Sequence, residues 1–145
     1  MSNIFTEDTI QITDKKLNWK EAIKLCAKPL LDNGSITDGY VDSMIKIAED
    51  MGPFFDFGKN VAVPHSRPEN GVMKKGVSIL KVENQVDLLD LKEHPISIFI
   101  VLAAEDNTSH LSILSSLSET LIDDEKVEAL KNAETKEEIL NIFNN

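Results

Sequence analysis

Among the 145 residues there is a single cysteine, Cys26, a single tryptophan and a single tyrosine. With one cysteine no internal disulfide is possible and no cysteine-based zinc site can form. Set among apolar helix residues, Cys26 is expected to fill space in a core. No apolar run approaches the ~20 residues that a membrane span requires, and the first residues, Met1 to Asp8, lack the basic-then-apolar pattern of a secretory signal. The expectation is a cytoplasmic protein with no direct membrane insertion. Cations are also scarce: 15 Lys and Arg stand against 25 Asp and Glu, a formal charge of −10. A field of that sign argues against nucleic acid and anionic lipid as partners, so any phosphate bound here has to be held by local donors. Two motifs are absent as well. Without Gly-x-x-x-x-Gly-Lys there is no phosphate loop for direct use of ATP, and without Gly-x-Ser-x-Gly no nucleophile elbow. No cofactor is indicated.

What is present is enough apolar residue, 41% of the chain, for one substantial core, and the length fits a single domain over residues 1–145. Thr9 to Ile12 alternates as a short strand. Asn18 with Glu21 three residues on resembles a capping box, and Trp19, Ala22, Ile23, Cys26, Ala27 and Leu30 then recur at helical spacing. Pro29 is expected to kink or end that helix. Thr37 caps a second helix whose apolar stripe runs from Tyr40 through Val41, Met44, Ile45 and Ala48 to Met51, and Gly52-Pro53 stops it. Phe54, Phe55 and Phe57 predict a strand or an apolar corner, and Gly58 to Asn60 a tight turn. Val77 to Val82 and Ile96 to Ala103 read as strands, the second apolar enough to be central and covered on both faces. A polar loop from Ala104 to Ser109 opens a helix at about His110, followed by helices from Asp124 to about Asn132 and from Lys136 to Ile142, the last with a Thr135/Glu138 capping box. Helices before, strands in the middle and helices after predict an α/β fold, a mixed β-sheet sandwiched between helices.

The stretch most suited to chemistry is Val61 to Gly71. Val61 to Val63 read as a buried strand, Pro64 ends the ladder, and Pro68 with Asn70-Gly71 turns the chain back. His65, Ser66 and Arg67 thus lie on a stiff loop just past a strand end. His110 lies in the first turn of a helix, where the dipole favours an anion. His94, before Pro95 in a charged stretch, reads as a solvated loop residue. The same residues have blander readings: a helix-start histidine is often a cap or core-edge residue, and Arg67 can pair with Glu69 or face solvent. A metal site on His65 and His110 would have to recruit a carboxylate such as Asp106 without any recognised spacing, so no metal is assigned, and a metal-dependent hydrolase remains a third reading. Ser66, directly after His65, is poorly placed to form a hydrolytic dyad with it. Histidine itself is left as the nucleophile.

Ala62-Val63-Pro64-His65-Ser66-Arg67-Pro68-Glu69-Asn70-Gly71-Val72, followed by Ala103-Ala104-Glu105-Asp106-Asn107-Thr108-Ser109-His110-Leu111-Ser112-Ile113-Leu114, resembles the enzyme IIA domain of the bacterial phosphoenolpyruvate-dependent sugar phosphotransferase system, mannitol/fructose type. Trp19 to Ile23 and Ile36 to Val41 extend the likeness over nearly the whole chain. Gly52-Pro53 and the Pro-His-Ser-Arg-Pro-Glu-Asn-Gly-Val form are closest to the ascorbate-type branch. The resemblance implies a phosphocarrier for coupled carbohydrate uptake, with an ascorbate-like compound, a pentitol or a hexitol as cargo. It takes a phosphoryl group from phospho-HPr, the histidine-phosphorylated carrier protein, and passes it to a cysteine of an enzyme IIB partner. The implied acceptor is His65, phosphorylated on Nε2 while Nδ1–H donates to a backbone carbonyl, and His110 is the implied phosphoryl-stabilising residue. A regulatory domain signalling through the phosphorylation state of His65 is the alternative.

One position departs from the mannitol type, whose second helix carries an arginine near the active site where this chain has Ile47. Arg67 and Ser66 are the expected phosphate-binding substitutes, Arg67 through its fork and Ser66 through its hydroxyl or backbone N–H. A carrier that meets two partners by turns needs a shallow apolar docking face. Phe54, Phe55 and Val72 are candidates for it, with the two phenylalanines better read as core. Oligomeric state is left open.

Overall fold

A computed structural model describes residues 5–144. Its centre is a five-stranded mixed sheet in the order β1-β4-β5-β3-β2, made of β1 (Ile10–Thr13), β2 (Asp56–Gly58), β3 (Val61–Ala62), β4 (Gly76–Asp87) and β5 (Pro95–Ala103). β4 and β5 pair antiparallel at the middle, while β1 on β4 and β3 on β5 are parallel. From Ile98 onward β5 alternates. Ile98, Ile100 and Leu102 face one helical layer, α3 (Asn107–Leu121), α4 (Asp124–Asn132) and α5 (Lys136–Asn144), and Phe99, Val101 and Ala103 face the other, α1 (Trp19–Asp32) and α2 (Asp38–Met51). All six are fully buried. The near-continuous apolar run of β5 is therefore the sheet's two-sided centre, as the sequence predicts.

The local signals for the helices are realised in their caps. Asn18 Oδ1 accepts from Glu21 N–H at 2.8 Å while Glu21 Oε1 accepts from Asn18 N–H at 3.0 Å, so both halves of the capping box are made. Thr37 caps α2 at Tyr40 N–H, and Thr135 caps the start of α5 at Glu138 N–H. Pro29 departs from expectation: it lies inside α1, which continues to Asp32. Proline removes the N–H that would bond the carbonyl four residues earlier, that of Leu25. That carbonyl accepts instead from the side-chain amide of Gln11 on β1, at 2.6 Å, so the helix survives with its bond supplied from the sheet.

Other boundaries move in instructive ways. β1 begins one residue later than the alternation suggests, and β4 extends to Asp87. Phe54 and Phe55 are not strand. They form a turn before β2, with Phe55 buried and Phe54 47% exposed, while Phe57 lies in β2. Met51, predicted to complete the apolar stripe of α2, is 72% exposed. α3 begins at Asn107, three residues before the expected point, because Asp106 accepts from Ser109 N–H at 2.8 Å and acts as its cap. The returning loop needs its glycine. Gly71 has φ +137, and a Cβ there would collide with Thr37 Oγ1, while its carbonyl accepts from Thr37 N–H at 3.0 Å and fastens the loop to the start of α2.

Candidate active site

β3 is short, yet its register against β5 persists beyond Pro64. Leu102 N–H donates to the Pro64 carbonyl at 3.1 Å, and His65 stands opposite Leu102 in a single parallel bridge. Alternation along an extended chain sends successive side chains to opposite faces. Val61 and Val63 pack on the α3–α5 side, and His65 follows them to meet His110 of α3, with ring centroids 5.2 Å apart. Ser66 turns the other way, towards α2. Its Oγ lies 2.8 Å from Ser43 Oγ and 3.0 Å from Asn70 Nδ2.

The His65 ring is held by one strong constraint. Nδ1 is 2.8 Å from the carbonyl oxygen of Val63. A carbonyl can only accept, so Nδ1 carries the proton and the neutral ring keeps its lone pair on Nε2. The rings of Phe54 and Phe55, with centroids 5.9 and 5.6 Å away, flank the imidazole and limit its rotation. Partial burial holds the His110 imidazole below the usual histidine value, and repulsion from His65 adds to the effect. A neutral His110 has one N–H to offer an incoming oxygen.

Both rings line a cleft of about 390 Å³ that is closed by Ile47, Met51 and Phe54 on the α2 side and by Asn107 at the start of α3. Arg67 and Pro68 form its rim. Arg67 is exposed and, among the described residues, its guanidinium makes no hydrogen bond or ion pair; Glu69 does not engage it. Its guanidinium is the cation of a wall otherwise apolar on that side. The cleft is thus equipped with two imidazoles, one of them held by Nδ1, and a fork-shaped cation, a set suited to a tetrahedral dianion. Among the described residues no group of three or more His, Cys, Asp or Glu is placed to hold a metal ion.

The structure thus brings His65, His110, Arg67 and Ser66 to one cleft. It corrects one expectation about Ser66: its backbone N–H is already bonded to the Tyr40 hydroxyl at 3.0 Å, so only the hydroxyl, which Ser43 and Asn70 also contact, is left to meet a ligand. His94 is also not a solvated loop residue. Its Nδ1 lies 2.7 Å from Asp56 Oδ2 at the far end of the sheet. Phe54 is exposed at the cleft, whereas Phe55 is core and Val72 is half-buried against the α1–α2 cluster. Ile47 does line the cleft, so an arginine there would have reached it. Sequence reading missed Tyr40 as part of the site. The available signal was a phenol in an otherwise apolar stripe, since a buried tyrosine hydroxyl has to find a partner.

The same arrangement of elements occurs in known proteins. A family model described as phosphoenolpyruvate-dependent sugar phosphotransferase system, EIIA 2, matches residues 3–145. A mannitol-specific cryptic phosphotransferase enzyme IIA component of Escherichia coli K12 is 32% identical over 143 residues, covering 99% of this chain and 97% of the relative. An ascorbate-specific EIIA component of the same strain is 26% identical over 136 residues, with 93% and 88% covered. Identity therefore does not single out the ascorbate branch. Among solved structures, a complex of mannitol enzyme IIA with phosphorylated enzyme IIB from Escherichia coli superposes with a TM-score of 0.82 at 25% identity, covering 94% of each chain.

Proposed function

The chain belongs to the phosphoenolpyruvate-dependent sugar phosphotransferase EIIA 2 family, and within that phosphotransferase role we propose that His65 is the residue that carries the phosphoryl group. The observation that carries this reading is the Nδ1 contact to the Val63 carbonyl, which leaves Nε2 as the ring's only nucleophilic atom. In the first step the Nε2 lone pair attacks phosphorus while the bond from phosphorus to the donor's imidazole nitrogen breaks, and the electron pair leaves with the donor. His65 becomes a phosphorylated imidazolium that keeps its Nδ1 proton, and the Val63 carbonyl offsets the developing positive charge. In the second step a thiolate attacks phosphorus and the pair returns to Nε2. Phosphoryl transfer of this kind passes through a loose transition state, so the protein's work is alignment and stabilisation of the equatorial oxygens. His110 and Arg67 serve those oxygens, and the Ser66 hydroxyl is a further donor within the same cleft.

The donor is phospho-HPr and the acceptor a cysteine of an enzyme IIB, in the cytoplasm. The solved complex of a relative with phosphorylated IIB supports the second partner. Relatives named for mannitol and for ascorbate support a hexitol or an ascorbate-like compound as the cargo of the system. Intact-mass spectrometry after incubation with phosphoenolpyruvate, enzyme I and HPr tests the proposal. One acid-labile phosphoryl group on the wild type and none on His65→Ala is the expected result. Equal labelling of both would remove His65 from the role.

A further inference from the structure

Tyr40 is the one polar aromatic residue in the core beneath the cleft, and its ring is fully buried among the α1–α2 cluster. Burial pushes its hydroxyl up to about 12, with the Ser66 backbone contact working in the opposite direction, so it stays protonated and able to donate at neutral pH. A buried hydroxyl would be satisfied by any single carbonyl. This one is shared between two strands at the position of the candidate nucleophile. It donates to the Leu102 carbonyl at 2.6 Å and accepts from Ser66 N–H at 3.0 Å.

Leu102 is the residue opposite His65. In an uninterrupted parallel ladder its N–H would bond the residue before His65 and its carbonyl the residue after. The first bond is present, from Leu102 N–H to the Pro64 carbonyl at 3.1 Å. In place of the second, the Tyr40 hydroxyl stands between Ser66 N–H and the Leu102 carbonyl. One flank of His65 is thus fixed directly to β5 and the other is held off it by the thickness of a hydroxyl group. The chain splays from the sheet at the residue whose ring must turn into the cleft.

We propose that Tyr40 is a positioning residue for His65: its hydroxyl, inserted between Ser66 N–H and the Leu102 carbonyl, keeps the β3–β5 ladder from closing past His65 and so sets where the imidazole stands. The inference rests on the assignment of His65 as phosphoryl acceptor. Without the hydroxyl, Ser66 N–H is free to bond Leu102 directly, Ser66 moves towards β5, and the contact between His65 Nδ1 and Val63 loosens. The nucleophile then samples both tautomers and a wider range of directions. The fold itself survives, because the phenyl ring still fills the core.

The test compares wild type, Tyr40→Phe and Val41→Ala, the last a buried residue one position further along α2 whose truncation weakens the same core and leaves the Tyr40 hydroxyl in place. Two quantities are read: steady-state transfer from phospho-HPr, and the tautomer of His65 by nitrogen NMR. For Tyr40→Phe the expected result is a fall in kcat of about 10-fold to 100-fold, the scale of an approximately 1 Å misplacement, with little change in KM for phospho-HPr. His65 should then show a mixture of tautomers. Val41→Ala should keep both the wild-type rate and a single Nδ1–H tautomer despite a lower melting temperature. A Tyr40→Phe protein with wild-type kcat and a single tautomer overturns the proposal, as does an equal loss in Val41→Ala. If the wild type accepts no phosphoryl group, the assignment of His65 fails separately. The tautomer then decides the role of Tyr40: a mixture in Tyr40→Phe upholds positioning, and an unchanged tautomer ends it.

Discussion

His94 lies one residue before β5 begins, and His65 lies opposite Leu102 near its end. Each uses Nδ1 for a short contact, 2.7 Å to Asp56 Oδ2 for His94 and 2.8 Å to the Val63 carbonyl for His65. The acceptors differ in charge, and the consequences differ with them. A carboxylate makes a tie: Asp56 also accepts from Gly58 N–H at 2.8 Å, so the pair pins the β2–β3 hairpin to the entrance of β5. A backbone carbonyl fixes the proton on Nδ1 without supplying a full counter-charge. The surroundings follow suit. Around His65 are a cleft, a second imidazole and an exposed cation; His94 stands beside a hairpin. The carboxyl ends of the parallel strands β3 and β5 hold the candidate site, the usual location in sheets with parallel pairing, and the His94–Asp56 tie lies at the opposite end.

The widest separation between the two ends should come from removing each histidine in turn. His65→Ala is expected to abolish phosphoryl acceptance, while His94→Ala accepts at the wild-type rate, as read by mass spectrometry over a time course. Loss of acceptance in His94→Ala, in a protein that is still folded, would erase the distinction drawn between the ends.

Within the active end, Arg67→Ala is expected to slow transfer by about 10-fold to 100-fold, less than the roughly 100-fold to 1,000-fold for a buried oriented donor, because Arg67 is exposed. Arg67→Lys should fall in between, because an ammonium keeps the charge and loses the fork. Ile47 lines the same cleft, so Ile47→Arg in the Arg67→Ala background should recover part of the rate. No recovery, or no loss in Arg67→Ala to begin with, would take the guanidinium out of the account.

At the structural end, Asp56→Ala removes acceptors from both His94 and Gly58. Chemical denaturation should show a loss of about 1–2 kcal/mol, with phosphoryl transfer unchanged. A larger effect on transfer than on stability would mean that the hairpin reports to the cleft.

The smallest effect concerns pH. The folded-state pKa of His110 is lowered, so the native protein binds fewer protons than the unfolded chain as pH drops below 6.5, the ordinary histidine value. The contribution of this residue is fully present above that value and declines as the solution is acidified. His110→Gln should flatten the slope of melting temperature against pH between 7 and about 5. An unchanged slope would indicate that His110 is not disfavoured in its charged form.

Much of this was legible because local rules carry it. Asn18 and Glu21, Thr37, and Thr135 with Glu138 are caps whose partners lie three residues away, and Val61 to Gly71 announces a strand, a proline stop and a turn in consecutive residues. Three of the failures involve distant partners. Pro29 breaks a helix unless something else bonds the Leu25 carbonyl, and that something is Gln11 on β1. His94 reads as solvated because Asp56 lies 38 residues away. Tyr40 passes for one more core residue until the sheet brings Leu102 and Ser66 to its hydroxyl. Met51 shows the opposite error: it has the correct spacing for the stripe of α2, but the helix ends beside the cleft, where no layer covers it. Periodicity tells which face a residue occupies, and only the assembled fold tells what that face meets.

The central claim, that Nε2 of His65 bonds the phosphoryl group, is tested most directly by a phosphorus–nitrogen correlation NMR spectrum of the phosphorylated, isotope-labelled protein. The account predicts one phosphorus coupled to Nε2 of His65, with the proton retained on Nδ1. Coupling to Nδ1 of His65, or to either nitrogen of His110, would contradict it.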